Sequence, residues 1–279
     1  MVWKKLTKED LEETKKHFAS SGYVMQWFAM AQEVILTTLG PEWWRANCLI
    51  ESKKPDPFLK TKGTSEDDRF DFQDRVVRLG HMLYSLQKCA GFETFIASLK
   101  LRDLEPTFFE LQVAHLLDNS GYEVQFVEQK GHKGEDYDLI AVIKDVPVHI
   151  EAKSKRSGEI TSSRALLRTL DKARGQLPPA GPGVIFLSIP EVWTRHKDAK
   201  DKTRNLIESF FRNTQRVNHV VIVWHQWLLA LEGRASASLM SQHDNPKPRH
   251  PFALNPIVKT VEEPISLDPK RQPFQPSFW

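Results

Sequence analysis

The sequence predicts an α/β protein, a mixed sheet flanked by helices, with a helical N-terminal region and a Pro-rich extended C-terminal tail. Three observations carry this expectation. Up to about residue 105, apolar residues recur at helical spacing. From Thr107 onward, helical stretches alternate with apolar runs of strand length. Eight of the 17 prolines fall between Pro246 and Pro276, a density that no helix or central strand tolerates.

The helical region is expected over residues 1–105. Trp27, Phe28, Ala31, Val34 and Ile35 form one stripe, and Phe72, Val76, Val77, Leu79, Leu83 and Leu86 another. The polar, Pro-containing stretch 53–68 between them reads as a loop. Pro106 marks a boundary, because the residue before a proline is pushed out of helical geometry.

An α/β domain is expected over 106–243. Phe108 to Asp118 reads as a helix, with Thr107 at the N-cap and Glu110 three residues on as a capping box. Gly121 suits the left-handed position after its end. Strands follow at Tyr122 to Val127, Tyr137 to Ile143 and Val148 to Ala152, the last two joined by a turn at Lys144-Asp145. Ser163 to Leu177 is a helix stopped by Pro178-Pro179, Val184 to Ile189 a buried strand, Asp201 to Gln215 a helix and His219 to Trp224 the last strand. The tail, 244–279, ends in Phe278-Trp279, two aromatics able to dock on the chain's own body or on a partner.

Composition narrows the setting. A net charge of +3 is too small to name a partner by itself. The two cysteines, Cys48 and Cys89, stand in no ligand spacing and fit a reducing compartment. The first ten residues hold no apolar core of signal-peptide length. The longest apolar stretch, Val220 to Leu231, is broken by His225 and Gln226 and is too short to cross a bilayer. A cytoplasmic protein with no membrane partner is expected.

The chemistry lies at the ends of two strands. Asp138 opens one apolar run, and Glu151 and Lys153 close the next. Side chains alternate along a strand, so Glu151 and Lys153 share a face and Ile150 and Ala152 take the other. Asp136 and Asp138 also share a face, so either fits as ligand; Asp138 is favoured because it adjoins the apolar run. A lone carboxylate inside an apolar strand carries a heavy desolvation cost unless it is paired or metal-bound. An ion pair with Lys153 accounts for Glu151 but not for the facing Asp138. Oxygen ligands of this kind suit Mg²⁺, with Mn²⁺ as a substitute. Such parts serve metal-assisted phosphodiester hydrolysis. His149 shares the face of Glu151 and reads as a structural histidine.

Basic residues adjoin the site. Lys153, Lys155, Arg156, Arg164, Arg168, Lys172 and Arg174 are opposed only by Glu159 and Asp171. Lys155, Arg156, Arg164, Arg168 and Lys172 are the expected nucleic-acid contacts, because neutralising phosphates supplies most non-specific affinity.

The segment from Phe108 to Ile189 resembles the PD-(D/E)xK nuclease superfamily, on Asp138 followed by Glu151-Ala152-Lys153 in the matching order of helix and strands. The resemblance covers less than a third of the chain, and Tyr137 replaces the proline usual before the first acid. It implies a restriction-endonuclease-like fold and a metal-dependent nuclease that hydrolyses phosphodiester bonds in nucleic acid, DNA favoured. It implies that Asp138, Glu151 and the Ala152 carbonyl bind the metal, and that Glu110 on the first helix completes a second metal position. Gln176 matches a glutamine that some members carry on the second helix. The lysine of the motif orients the attacking water and stabilises phosphate charge. Beside two carboxylates, Lys153 stays protonated and acts by its charge. The helical N-terminal region then selects substrate or, like the tail, meets a protein partner. Two other readings remain. One is a nuclease-like fold that no longer cuts and binds nucleic acid or a protein partner. The other is an acid–base pair acting on a sugar, which the basic helix fits less well.

Overall fold

The computed structural model describes residues 5–49, 58–59, 66–129, 131–132, 134–155, 162–190, 199–230 and 233–254. Among these, helices α1 (Lys8–His17), α2 (Tyr23–Leu39), α3 (Pro41–Cys48), α4 (Glu66–Leu86), α5 (Phe92–Leu99) and α6 (Leu104–Asn119) come first. Then follow β1 (Glu123–Phe126), β2 (Leu139–Ile143), β3 (Val146–Ser154), α7 (Ser163–Gln176), β4 (Gly183–Ser188), α8 (Ala199–Arg212), β5 (Val217–Ala230) and β6 (Gly233–Asp244). This is an α/β protein with N-terminal helices and a six-stranded mixed sheet.

The helical stripes read from the sequence are buried except at Trp27, Phe28 and Phe72, which are half-buried. Ala31, Val34, Ile35, Val76, Leu79, Leu83 and Leu86 are each at most 1% exposed. They let α2 and α4 pack closely, and Gly80 marks the tightest point. A Cβ added there would lie 2.5 Å from the Ala31 Cα and 2.8 Å from its carbonyl oxygen. Gly80→Ala is therefore expected to lower the denaturant midpoint, costing about 1–3 kcal/mol through overpacking. Gly175→Ala in α7, where an added Cβ meets nothing within 4 Å, is expected to stabilise by about 0.4–1 kcal/mol. Equal shifts from the two substitutions would contradict the close approach of α2 and α4.

Helix α6 departs from expectation at its start. It begins at Leu104, one turn before Phe108, and Asp103 occupies the N-cap position. Pro106 sits in the first turn, where a missing N–H costs nothing because that group has no helical partner. The Thr107 hydroxyl donates back to the Asp103 carbonyl at 2.7 Å, so the expected Thr107–Glu110 capping box does not form. Glu110 is left to other work. At the far end, Gly121 takes the left-handed φ of 82° foreseen for it.

The strands lie in chain order, β1-β2-β3-β4-β5-β6. β1–β2, β2–β3 and β5–β6 are antiparallel; β3–β4 and β4–β5 are parallel, connected through α7 and α8. Lys144 and Asp145, both at positive φ (52° and 62°), make the two-residue turn between β2 and β3. One face of the sheet carries Leu139, Ala141, Val148, Ile150, Ala152, Val184 and Phe186, in one core with residues of α2, α4, α5 and α6. The other carries Ile185, Leu187, Val220 and Ile222 against Leu166 and Leu170 of α7 and Ile207 and Phe210 of α8. β4, between two parallel neighbours, is buried on both faces, as such strands are.

The C-terminal strands are longer than expected. The strand read as His219 to Trp224 runs from Val217 to Ala230 and pairs with a sixth strand that the sequence pattern does not announce. Gly233–Asp244 is rich in Ser and Ala and lacks the β-branched and aromatic residues that mark a strand. Its pairing comes from the hairpin, not from its own preference. The described residues after β6, 245–254, form no regular element, yet they are fastened down. Asn245 Nδ2 donates to the carbonyls of Thr214 (2.9 Å) and Val217 (2.8 Å), and Asn218 Nδ2 donates to that of His250 (2.6 Å). Phe252 meets the His219 ring edge-on with centroids 4.9 Å apart, and Leu254 is buried. Phe278 and Trp279 lie outside the described residues. No helix among the described residues is long and apolar enough to cross a membrane.

Candidate active site

β2 begins at Leu139, opposite Ile150, while β3 continues to Ser154. Beyond Ile150, the β2 side of β3 therefore has no neighbouring strand among the described residues. Its backbone groups still need partners. The Ala152 N–H finds one in the side chain of Asp138, whose Oδ2 accepts it at 2.8 Å. The N–H and C=O of one strand residue point to the same side. The Ala152 carbonyl thus faces the same notch. The other oxygen of Asp138 accepts from Gln129 Nε2 at 2.9 Å, and the Asp138 N–H donates to the Ile150 carbonyl at 3.0 Å.

The antiparallel register sets Asp138 beside Glu151. Glu151 is wholly buried, at 0% exposure. The Lys153 ammonium, two residues on and on the same face, forms an ion pair with Glu151 Oε1. Oε2 accepts no hydrogen bond among the described residues. The Asp138 carboxylate is near enough for its charge to act on Glu151. Two ionised carboxylates repel and have no donor to offer each other, so a proton or a cation between them would relieve the pair.

Glu110 enters from α6, and it too is buried. Arg102, just before α6, forks onto it, with Nη1 on Oε2 at 2.9 Å and Nη2 on Oε1. Fork-to-fork pairs of this kind are among the stronger charged hydrogen bonds.

The electrostatics follow from burial. Burial first, then the Asp138 charge, pushes Glu110 up to about 7, against the pull of Arg102. Burial likewise raises Asp138, although Lys153, the Ala152 N–H and Arg102 oppose it. Glu151 stands well above the usual carboxylate range, through burial and then the neighbouring Asp138. Burial alone would lower Lys153, but Glu151, Asp138 and Glu110 outweigh it and hold the ammonium above the ordinary lysine value. The protonated form foreseen for Lys153 is the one its surroundings favour.

The oxygen donors of such a cluster suit a hard cation. An oxygen without a donor on a fully buried carboxylate is costly unless something positive reaches it. Asp138, Glu151 and the Ala152 carbonyl offer oxygen donors only, which fits Mg²⁺ or Mn²⁺, and the hydrogen-bonded oxygens of Asp138 keep lone pairs to spare. Among the described residues no three His, Cys, Asp or Glu side chains gather as a ligand group. Any cation is then held by two carboxylates at most, together with backbone and water, as Mg²⁺ usually is.

The structure thus brings together Asp138, Glu151, Ala152, Lys153 and Glu110. It sorts Asp138 from Asp136, whose Oδ1 accepts from the Gly131 N–H at 2.8 Å, away from Glu151. Both oxygens of Glu110 accept from Arg102, whose guanidinium already sets one positive charge against this carboxylate. Gln176 reaches the loop and not the carboxylates: its Nε2 donates to the Asp136 carbonyl at 3.1 Å and steadies the segment that carries Asp138. His149 is structural, contacting the Pro182 carbonyl at 3.2 Å and packing edge-on to Tyr137. Arg164, Arg168 and Lys172 lie exposed along α7, which Ser162 caps through the Ala165 N–H; Lys155 is half-buried at the end of β3. Arg156 lies outside the described residues. Arg102 and Gln129 leave no mark in the sequence pattern, since neither stands in a motif and each meets the site only through the fold. In comparisons with known proteins, no family model and no curated protein matches the chain.

Proposed function

We propose that this protein is a metal-dependent nuclease that hydrolyses phosphodiester bonds in nucleic acid, with DNA the favoured substrate. The observation that carries the proposal is the wholly buried Glu151, one oxygen without a donor, set beside Asp138 with the Lys153 ammonium against it. A cation in the notch, Mg²⁺ or Mn²⁺, would supply an acidified water and neutralise phosphate charge. Asp138, Glu151 and the Ala152 carbonyl hold it. Lys153 places a fixed positive charge where negative charge grows as the phosphate is attacked. Arg102 adds a second cation at the edge of the cluster and keeps Glu110 from repelling the substrate.

The test is incubation of the purified protein with circular and linear DNA and RNA in Mg²⁺, Mn²⁺ or EDTA. Metal-dependent cleavage of any of these supports the proposal, and its absence from all of them defeats it. A second reading draws on the same site: a nuclease-like module that binds nucleic acid without cutting. Asp138 already has both oxygens engaged by protein donors and Glu110 is locked to Arg102, so the cluster is internally satisfied except at Glu151 Oε2. Binding without cleavage would favour it.

Substrate binding is assigned to the basic residues beside the site. Replacing Lys155, Arg156 and Arg168 together by Ala is expected to weaken nucleic-acid binding and to flatten its salt dependence. On duplex DNA the log–log slope should fall by about 0.9 for each phosphate that is no longer neutralised. An unchanged slope in a filter-binding salt series would make these residues mere solvated surface.

A further inference from the structure

Beside the site lies an open polar groove of about 790 Å³, formed where the end of α7 meets the turn between α8 and β5 and the docked segment at Arg249. Lys172, Arg174, Arg216 and Arg249 bring four positive charges to it, against the carboxylates of Asp136 and Asp171. Both carboxylates are already engaged, Asp171 with Arg174 at 3.2 Å and Asp136 with the Gly131 N–H. Arg216 is built in: its Nη1 donates to the carbonyls of Arg174 (3.3 Å) and Leu177 (3.2 Å), fixing its charge in the wall. Asn213 and Gln215 add amide groups.

What the groove lacks identifies its occupant. Among the described residues, no aliphatic or aromatic side chain lines it. An apolar ligand would find only the stems of polar side chains to bury against, where small-molecule clefts usually offer apolar and aromatic residues. A nucleic-acid base would find nothing to stack on, because base binding without pairing relies on aromatic platforms. Cationic and amide donors are what phosphate oxygens take. One loop joins the groove to the site: Asp136 lines the groove, Gln176 fastens the Asp136 carbonyl, and two residues on Asp138 stands beside Glu151. A strand cut at the site can continue over this loop. The exposed stripe of Arg164, Arg168 and Lys172 along α7 runs from the start of the helix that follows β3 towards the groove.

We infer that this groove binds the sugar–phosphate backbone of the nucleic-acid substrate outside the scissile position, without reading its sequence. The inference rests on the nuclease reading for the identity of the substrate. It assigns the groove a separate share of the affinity.

The experiment is a salt titration of binding by the full chain in EDTA, using a labelled DNA duplex and the matching single strand, for wild type and the Lys172→Ala/Arg249→Ala double variant. Both residues are exposed, so the variant is expected to keep the wild-type thermal midpoint. With two phosphates left unneutralised, the log–log salt slope should shrink by about 1.8 on the duplex and by about 1.4 on the single strand. A change of that size supports the groove even if no metal ever elicits cleavage, in which case catalysis alone falls. A wild-type slope in the variant overturns the groove while leaving the nuclease reading intact. Wild type that binds neither probe overturns both. Should the variant shift its midpoint, Lys172→Gln/Arg249→Gln, which keeps most of each stem, replaces it in the same titration.

Discussion

Asp138→Asn and Lys153→Ala are each expected to lower metal-dependent cleavage by about 10²-fold or more, the usual loss when one preorganised electrostatic group is removed from a site of this kind. The two variants fail by different routes. Asn keeps the shape of Asp138 and can still accept from the Ala152 N–H, the bond that closes the open edge of β3. It removes an anionic hard ligand, so part of its loss should be recovered by more Mg²⁺ or by Mn²⁺. Lys153→Ala removes the cation paired with Glu151 and leaves the ligands in place. Its loss should fall on turnover and resist added metal, because that charge acts where negative charge develops. Binding of nucleic acid in EDTA should survive both. The measurement is cleavage rate against metal concentration, with circular dichroism to verify folding. Variants that cut like wild type would place the chemistry elsewhere.

The acids on two strands were legible in the sequence because their signal is local. Asp138, Glu151 and Lys153 sit at the edges of apolar runs, and strand alternation alone puts the last two on one face. A short turn at Lys144-Asp145 makes the two strands neighbours, and the register then brings the acids together. Residues that arrive from afar left no such trace. Arg102 meets Glu110 because α6 starts at Leu104, and that start is masked in the sequence because Thr107 with Glu110 looks like a cap. Pro106 strengthens the false signal, since a proline is equally at home just before a helix and in its first turn. β6 was hidden for a different reason. Its small and polar residues carry no strand pattern, and it forms because the long hairpin from β5 offers a complete edge. The groove was invisible because Arg249 lies in the Pro-rich stretch, whose docking depends on Asn245, Asn218 and His219 far apart in sequence.

The buried acids should also govern stability, and here the expected result is a protein that Mg²⁺ rescues at neutral pH and above. Glu110 is pushed up to about 7 from an ordinary value of 4.5, and Asp138 and Glu151 are raised as well. Between their ordinary and raised values these groups bind more protons in the folded state than in the unfolded one. Stability in chelator therefore falls as pH rises from about 4.5 through 7, the sign that linkage requires when the native state holds the extra protons. A cation bound by Asp138 and Glu151 replaces the missing protons. At about 100 times its dissociation constant it contributes about 2.7 kcal/mol to the folded state. For a chain of this size, at roughly 2–4 °C per kcal/mol, that is a rise of about 5–10 °C in the thermal midpoint. Glu151→Gln separates the parts. It removes one buried charge, so in EDTA at alkaline pH the variant should melt no lower than wild type and its pH slope should be shallower. It also removes a ligand, so the rise with Mg²⁺ should vanish. Thermal melts across pH, with and without Mg²⁺, read all three effects at once. A wild-type protein whose midpoint ignores Mg²⁺ at every pH would mean that Lys153, on Oε1, is the only cation that balances Glu151, and that the notch holds no metal.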